Sequence, residues 1–180
     1  MKTKLFAAAF AILAAASSVH AQPQAAPSAD TASVDAVIAA LYASVSHPDG
    51  QEPDWRRMRN LFLPVGMLVP PKRPGEDAFT VLDVDGFREF FRQGMAAAKQ
   101  RGETNAFYEI EVGRRLDCFG NVCQAFSTYE SRRAPSDPKP FMAGINSIQL
   151  LNDGQRWWIA SVAWDSERPN NPIPAGYRAK

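Results

Sequence analysis

The stretch FMAGINSIQLLNDGQRWWIASVAWD, residues Phe141–Asp165, decides the fold. Asp153-Gly154 separates two apolar runs rich in β-branched and aromatic residues. Asp-Gly in that setting signals a two-residue hairpin turn with positive φ at both central positions. Such a turn sets Asn152 opposite Gln155, Leu150 opposite Trp157, Ile148 opposite Ile159 and Asn146 opposite Ser161. One face then carries Met142, Asn146, Ile148, Leu150, Ile159 and Ser161. The other carries Ile145, Leu151, Trp158, Val162 and Trp164. Neither face is polar enough to be a plain solvent face. Helices should cover the first, and a partner subunit or the chain's own tail should cover the second. Five apolar side chains on one outer face would make a contiguous patch that soluble monomers seldom expose, which points to a homodimer through that face.

Upstream, Asn105–Arg133 reads as another long hairpin, turning at Gly120-Asn121. Strict alternation from that turn puts Tyr108, Ile110, Val112, Arg114, Leu116, Ala125, Ser127 and Tyr129 on the core face. Glu109, Glu111 and Glu130 then fall on the solvated face. Cys118 and Cys123 become a cross-strand pair whose Cα atoms lie about 4.5–5.5 Å apart, within disulfide range. The alternative is a pair of reduced, buried thiols.

The N-terminal half is helical. Val34, Val37, Ile38, Leu41, Tyr42 and Val45 recur at helical spacing. Asp54 caps a second, shorter helix carrying Trp55, Met58, Leu61 and Phe62, which Pro64 stops. Val65–Val69 is a short strand. A third helix starts at Asp83 or Asp85, with a stripe of Phe87, Phe90, Phe91, Met95 and Ala98, and ends at Arg101-Gly102. His47 sits beside Pro48 where the first helix ends, as a capping or loop residue rather than a base.

The first 21 residues read as a secretory signal peptide. They contain a basic start (Lys2, Lys4), the apolar run Leu5–Ala16 and the small-residue pattern Val19-His20-Ala21. Residues 22–30 are a Pro/Ala/Ser-rich flexible leader, 31–165 one domain and 166–180 a Pro-rich tail. Without Lys2 and Lys4, 18 Lys and Arg meet 19 Asp and Glu. That balance argues against nucleic acid as a partner. No stretch beyond the leader is long and apolar enough to span a bilayer. Export places the cysteines in an oxidising compartment. Metal-ligand clusters, phosphate loops and serine-nucleophile motifs are absent from the sequence, and no cofactor is implied.

Asp54-Trp55 with Leu61-Phe62-Leu63-Pro64, FGNVCQAFSTYESR at 119–132, GINSIQLLNDGQRWWI at 144–159, and Trp164-Asp165 followed by Pro172-Ile173-Pro174 carry a resemblance. The chain resembles the nuclear transport factor 2-like superfamily, which includes ketosteroid isomerases, scytalone dehydratases and polyketide-cyclase-like proteins, and within it the small exported bacterial members. The cysteines depart from that subgroup's pattern. The resemblance implies an α+β fold, with three helices packed on an antiparallel sheet curved into a cone around an apolar pocket. The ligand-facing polar residues would then be Tyr108, Arg114, Ser127, Tyr129, Asn146 and Ser161, with Asp165 at a strand end. Each has a structural alternative. Tyr129 can be a core tyrosine, Asn146 and Ser161 can satisfy one another, and Arg114 can be an ion pair rather than an anion hook. Asp165 can pair with Arg168. No complete acid–base set emerges, so the sequence favours a non-catalytic pocket for a small apolar ligand, or a dimeric interaction module. The alternative is an isomerase, dehydratase or cyclase-like enzyme using Asp165 and Tyr129.

Overall fold

A computed structural model describes residues 28–72 and 75–178; the signal peptide and most of the leader read from the sequence lie outside them. In chain order the elements are α1 (Val34–Val45), α2 (Trp55–Leu61), β1 (Phe62–Val69), α3 (Val84–Gln100), β2 (Tyr108–Phe119), β3 (Val122–Arg132), β4 (Met142–Asn152) and β5 (Trp157–Ser166). Each helix begins at a side-chain cap. Ser33 accepts from the Ala36 N–H, Asp54 from Arg57 and Asp83 from Gly86, satisfying amides that have no partner inside the helix.

Among the described residues the fold is α+β, with three α-helices, two short 3-10 turns (Ala29–Thr31 and Ala175–Tyr177) and one five-stranded sheet in the order β1-β5-β4-β3-β2. The expected cone does not form. β1 and β2 are opposite edges with no pairing between them, so the sheet is open and neither closed nor strongly curled. β1 also begins directly after α2, at Phe62, and runs parallel to β5, where the sequence suggested only a short strand from Val65.

The inner face of β3 is as alternation predicts. Cys123, Ala125, Ser127, Tyr129 and Ser131 are all buried. Cys118 and Cys123 form a disulfide across the β2–β3 hairpin, with Cα atoms 4.1 Å apart.

Two β-bulges change the rest. In β2 the register shifts between Glu111 and Gly113, so Glu111 faces Tyr129 and Glu109 faces Ser131. One extra residue on one strand reverses which side chains point inward beyond it. Glu109 and Glu111 therefore turn toward the helices. Tyr108 and Ile110 turn away, and Ile110 is exposed. In β5 the shift falls between the partners of Gln149 and Leu150: Leu150 faces Ile159, Ile148 faces Val162 and Asn146 faces Trp164. Val162 and Trp164 thus join the core side, and Ser161, opposite Gln149, leaves it.

The hairpin loop differs as well. Only Gly154 has positive φ, and Asn152 pairs with Trp157 across a four-residue loop. The Asp153 carboxylate accepts the N–H groups of Gln155 and Arg156 at 2.8 and 2.9 Å, holding Asp153 out of the left-handed region that a two-residue turn requires.

The apolar outer patch behind the homodimer expectation is consequently smaller. Val162 and Trp164 are on the other face. Trp158 is covered within its own chain: the Arg156 guanidinium lies 3.7 Å above its ring, and its indole N–H donates to Asp153 at 2.7 Å. The Pro-rich tail crosses the same face. Thr128 donates to the Tyr177 carbonyl at 2.6 Å, the Tyr177 ring packs on Phe126, and Ile173 is buried.

Gly144, on the inner face of β4, has no room for a side chain. A Cβ there would collide with the Asp165 carbonyl and lie 2.5 Å from the Tyr129 hydroxyl. The Tyr129 ring occupies the space a side chain would need. Gly144→Ala is expected to destabilise the domain by about 1–3 kcal/mol through overpacking. A urea midpoint equal to that of the wild type would show that Tyr129 does not sit over Gly144.

Candidate functional site

Between the helices and the inner face of the sheet lies a cavity of about 320 Å³. Its wall is largely apolar: Leu41 and Val45 from α1, Met58 from α2, Leu68, Pro70 and Pro71 from β1 and beyond, and Phe87, Phe90 and Phe91 from α3. Phe107, Met142, Val162 and Trp164 complete it from the sheet side. The aromatics pack edge-on. Phe87 meets Trp164 at 5.7 Å between centroids, and Phe91 meets Phe107 at 5.5 Å. The polar residues in this wall are Glu109, Tyr129, Asn146 and Ser166. An apolar cavity with a few convergent polar groups is the usual form of a small-molecule site.

Glu109 is the chemically distinctive member. Burial pushes its carboxyl up to about 7 from its ordinary 4.5, while hydrogen bonds from Ser131 and Asn146 pull the other way. The Ser131 hydroxyl donates to it at 3.0 Å. No cation pairs with it among the described contacts, so low dielectric dominates and the charged form is disfavoured. Near neutral pH such a group both gives and takes a proton, as general acid–base catalysis requires. Tyr129 is buried beside it. Burial raises the Tyr129 phenol to about 12, and its hydroxyl bonds Ser166 at 3.0 Å. It is therefore a neutral hydrogen-bond donor over the physiological range.

A second polar group lies behind Asn146. The Asn146 amide donates to the Tyr42 hydroxyl at 3.1 Å, Tyr42 and Ser127 are 2.6 Å apart, and Ser127 donates to Glu111 at 2.5 Å. Glu111 is in turn 3.2 Å from Arg114, whose other contact is Asp35 on α1 at 2.7 Å. Burial pushes the Tyr42 phenol up, and the nearby carboxyls of Glu109 and Glu111 add to that shift.

Of the residues singled out from the sequence, Tyr129 and Asn146 line the cavity, and Ser127 is buried behind it. Arg114 is a structural ion pair. Tyr108 and Ser161 point to the other face. Asp165 also faces outward, where the Arg168 guanidinium at 2.7 Å holds its carboxyl below the usual range. It does not line this cavity. His47 is buried, its Nδ1 donating to the Pro48 carbonyl at 3.0 Å, with its ring between Phe91 and Phe107. Sequence alternation missed Glu109 and Glu111, and the helical period placed Tyr42 on the packed face of α1 without revealing its polar contacts. The available signal was Gly113, since a glycine inside a strand pattern suggests a bulge. Among the described residues no group of three or more His, Cys, Asp and Glu side chains is placed to hold a metal ion, and no helix is long and apolar enough to cross a membrane.

The raised Glu109 carboxyl has a consequence for stability. Below about pH 4.5 both folded and unfolded chains hold its proton. As pH rises, the unfolded chain releases the proton first, and the folded chain keeps it until about 7. The stability this proton contributes is therefore lost across that window and the curve then levels off. Glu109→Gln lacks that loss. Urea unfolding should show the variant gaining on the wild type between about pH 5 and about pH 8; parallel pH profiles would mean that Glu109 ionises as a solvated carboxylate.

No protein-family model matches the chain, and a search of curated proteins gives no match. Solved structures do match. A protein from Thiobacillus denitrificans, assigned as a calcium/calmodulin-dependent protein kinase type II association domain, aligns with a TM-score of 0.55 at 11% identity, over 76% of this chain and 97% of that one. A protein of unknown function from Mycobacterium tuberculosis aligns at 0.52 with 16% identity over 79% of each chain. A cystatin-like protein of unknown function from Nostoc punctiforme aligns at 0.50 with 12% identity, over 74% of this chain and 87% of that one. At these identities the likeness is one of fold. The chain shares the fold of these structures, one of which is described as cystatin-like.

Proposed function

We propose that this protein is a proton-transfer enzyme of the isomerase, dehydratase or cyclase kind, acting on a small apolar molecule with Glu109 as its general base and acid. The observation that carries this reading is a carboxyl in an apolar cavity with no cationic partner among the described residues, pushed by burial up to about 7. A group needed only for packing would be better served by an apolar side chain, since burying a carboxyl costs free energy. In the proposed chemistry, ionised Glu109 removes a proton from a substrate carbon next to a carbonyl. The electron pair of that C–H bond moves toward the carbonyl oxygen, where the Tyr129 hydroxyl donates a hydrogen bond to the developing negative charge. Protonated Glu109 then returns the proton to carbon or to a leaving hydroxyl. Asp165, the acid nominated from the sequence, has no part in this.

The second reading is a pocket that binds a small apolar ligand without turning it over, favoured by the predominance of aliphatic and aromatic groups in the wall. Proton exchange separates the two. With small apolar ketones in heavy water, the wild type should speed deuterium incorporation beside the carbonyl, and Glu109→Gln should lose about 10²–10⁴-fold of that rate. Ketones that bind in the cavity, with no acceleration of exchange in any of them, would overturn the catalytic reading.

Export to an oxidising compartment is also proposed. It is supported by the signal-peptide pattern of residues 1–21 and by the Cys118–Cys123 disulfide. Protein recovered outside the cytoplasm should begin at Gln22 and show no free thiol after denaturation without reductant. An intact Met1 start with two reactive thiols would contradict export. A homodimer through the outer face would rest on Ile145 and Leu151.

A further inference from the structure

The chain of polar contacts behind the cavity has a direction, and its direction follows from counting protons. Arg114 stands 3.2 Å from Glu111, making that carboxylate an acceptor. A serine hydroxyl has one proton, and Ser127 gives its proton to Glu111 at 2.5 Å. Ser127 can then only accept from Tyr42, so in their 2.6 Å contact the phenol is the donor. With its one proton used, the Tyr42 oxygen must accept, and the group facing it at 3.1 Å is the Asn146 amide nitrogen. Asn146 is thereby fixed with its NH₂ end toward Tyr42. Its second N–H is left for the cavity, whose wall Asn146 shares with Glu109, and Asn146 is among the groups that pull the Glu109 carboxyl downward. An amide free of this constraint could equally turn its carbonyl toward Glu109, which would favour the protonated acid instead.

We propose that Glu111, held by Arg114, acts as a positioning residue: through Ser127 and Tyr42 it locks Asn146 with an N–H, rather than a carbonyl, presented to Glu109. The chain spans four elements, with Glu111 on β2, Ser127 on β3, Tyr42 on α1 and Asn146 on β4. Ser127, Tyr42 and Asn146 are buried, so water does not substitute for a missing link. Its effect is to keep ionised Glu109 accessible near neutrality in a cavity that would otherwise suppress it. The remaining groups facing Glu109 do not compete for that role. From β3 come Tyr129, a neutral phenol, and Ser131, a direct donor. From α3 come the rings of Phe87, Phe90 and Phe91, and from β5 come Trp164 and Ser166. His47 lies beyond Phe107 with its Nδ1 proton on the Pro48 carbonyl.

This inference rests on the proposed role of Glu109, and one experiment separates the two. The Glu109 carboxyl is titrated by carbon NMR in protein with ¹³C-labelled glutamate, its resonance assigned by its loss in Glu109→Gln. The same titration is run on Ser127→Ala, which removes a link, and on Glu111→Gln, which lets the chain run in either direction. Circular dichroism confirms that each variant folds, and the more solvent-accessible Glu111→Gln keeps the test open if Ser127→Ala does not. The expected result is a wild-type midpoint near 7 that rises by about one pH unit in Ser127→Ala, the scale of one lost hydrogen bond to a charged group. Glu111→Gln should shift it in the same direction by less. A wild-type midpoint near 7 that neither folded variant moves would overturn the positioning role and leave the proposed function standing. A wild-type midpoint in the ordinary carboxylate range would overturn both.

Discussion

One extra residue in β2 determines what this cavity can do. The bulge between Glu111 and Gly113 turns two carboxylates from solvent toward the helices. On the near side of the turn, Leu116 and Arg114 keep the register that simple alternation assigns. Beyond the bulge the order inverts, with Ile110 exposed and Glu109 in the cavity wall. An apolar residue facing water and an acid facing a core break the usual pattern twice within three positions. Natural sequences tend to break local rules at functional or strained sites. The cost is a carboxyl in low dielectric without a cation among the described residues, and its physical expression is a proton held up to about pH 7.

The scaffold supports that arrangement from both sides. A second bulge, in β5, brings Val162 and Trp164 to the inner face, where Trp164 packs edge-on against Phe87 of α3. Without it the cavity would lose part of its aromatic wall and the outer face would gain a tryptophan. Gly144 lets Tyr129 lie flat over β4, close to Ser166. The helices do the rest. α3 supplies three phenylalanines, and α1 supplies Tyr42, the link between the wall of the cavity and the Ser127–Glu111 pair.

Much of this was legible in the sequence, and the limits have definite causes. Helical spacing places all three helices and capping residues the starts of the second and third, because amphipathic period and N-cap chemistry act locally. The Cys118–Cys123 pairing and the inner face of β3 follow from the Gly120-Asn121 turn, since no irregularity intervenes between that turn and Leu116. Alternation fails only past a bulge, and a bulge is set by how a strand twists against neighbours that a single sequence does not reveal. Gly113 marked one bulge. The other lies at Ala160, in a run of small residues with no distinctive signal. The four-residue loop at Asp153 arose from side-chain capping that outcompeted the turn type suggested by Asp-Gly. The cone was an expectation of resemblance alone, and the open sheet, with β1 parallel to β5 at one edge, replaces it. The site residues named first were therefore a mixture. Tyr129 and Asn146 line the cavity, while the bulge in β5 turns Asp165 outward and the separate bulge in β2 brings Glu109 inward.

The most direct measurement is the infrared difference spectrum between wild type and Glu109→Gln, recorded as a function of pH. A protonated carboxyl in an apolar cavity has a carbonyl stretch resolved from ionised carboxylates. The account predicts such a band in the wild type at about pH 6, fading as pH rises through about 7, and absent from the variant at every pH. A wild type with no protonated-carboxyl band attributable to Glu109 at about pH 6 would show that the side chain is ionised and solvated. The bulge would then not place a proton in the cavity, and Glu109 could not be its acid and base.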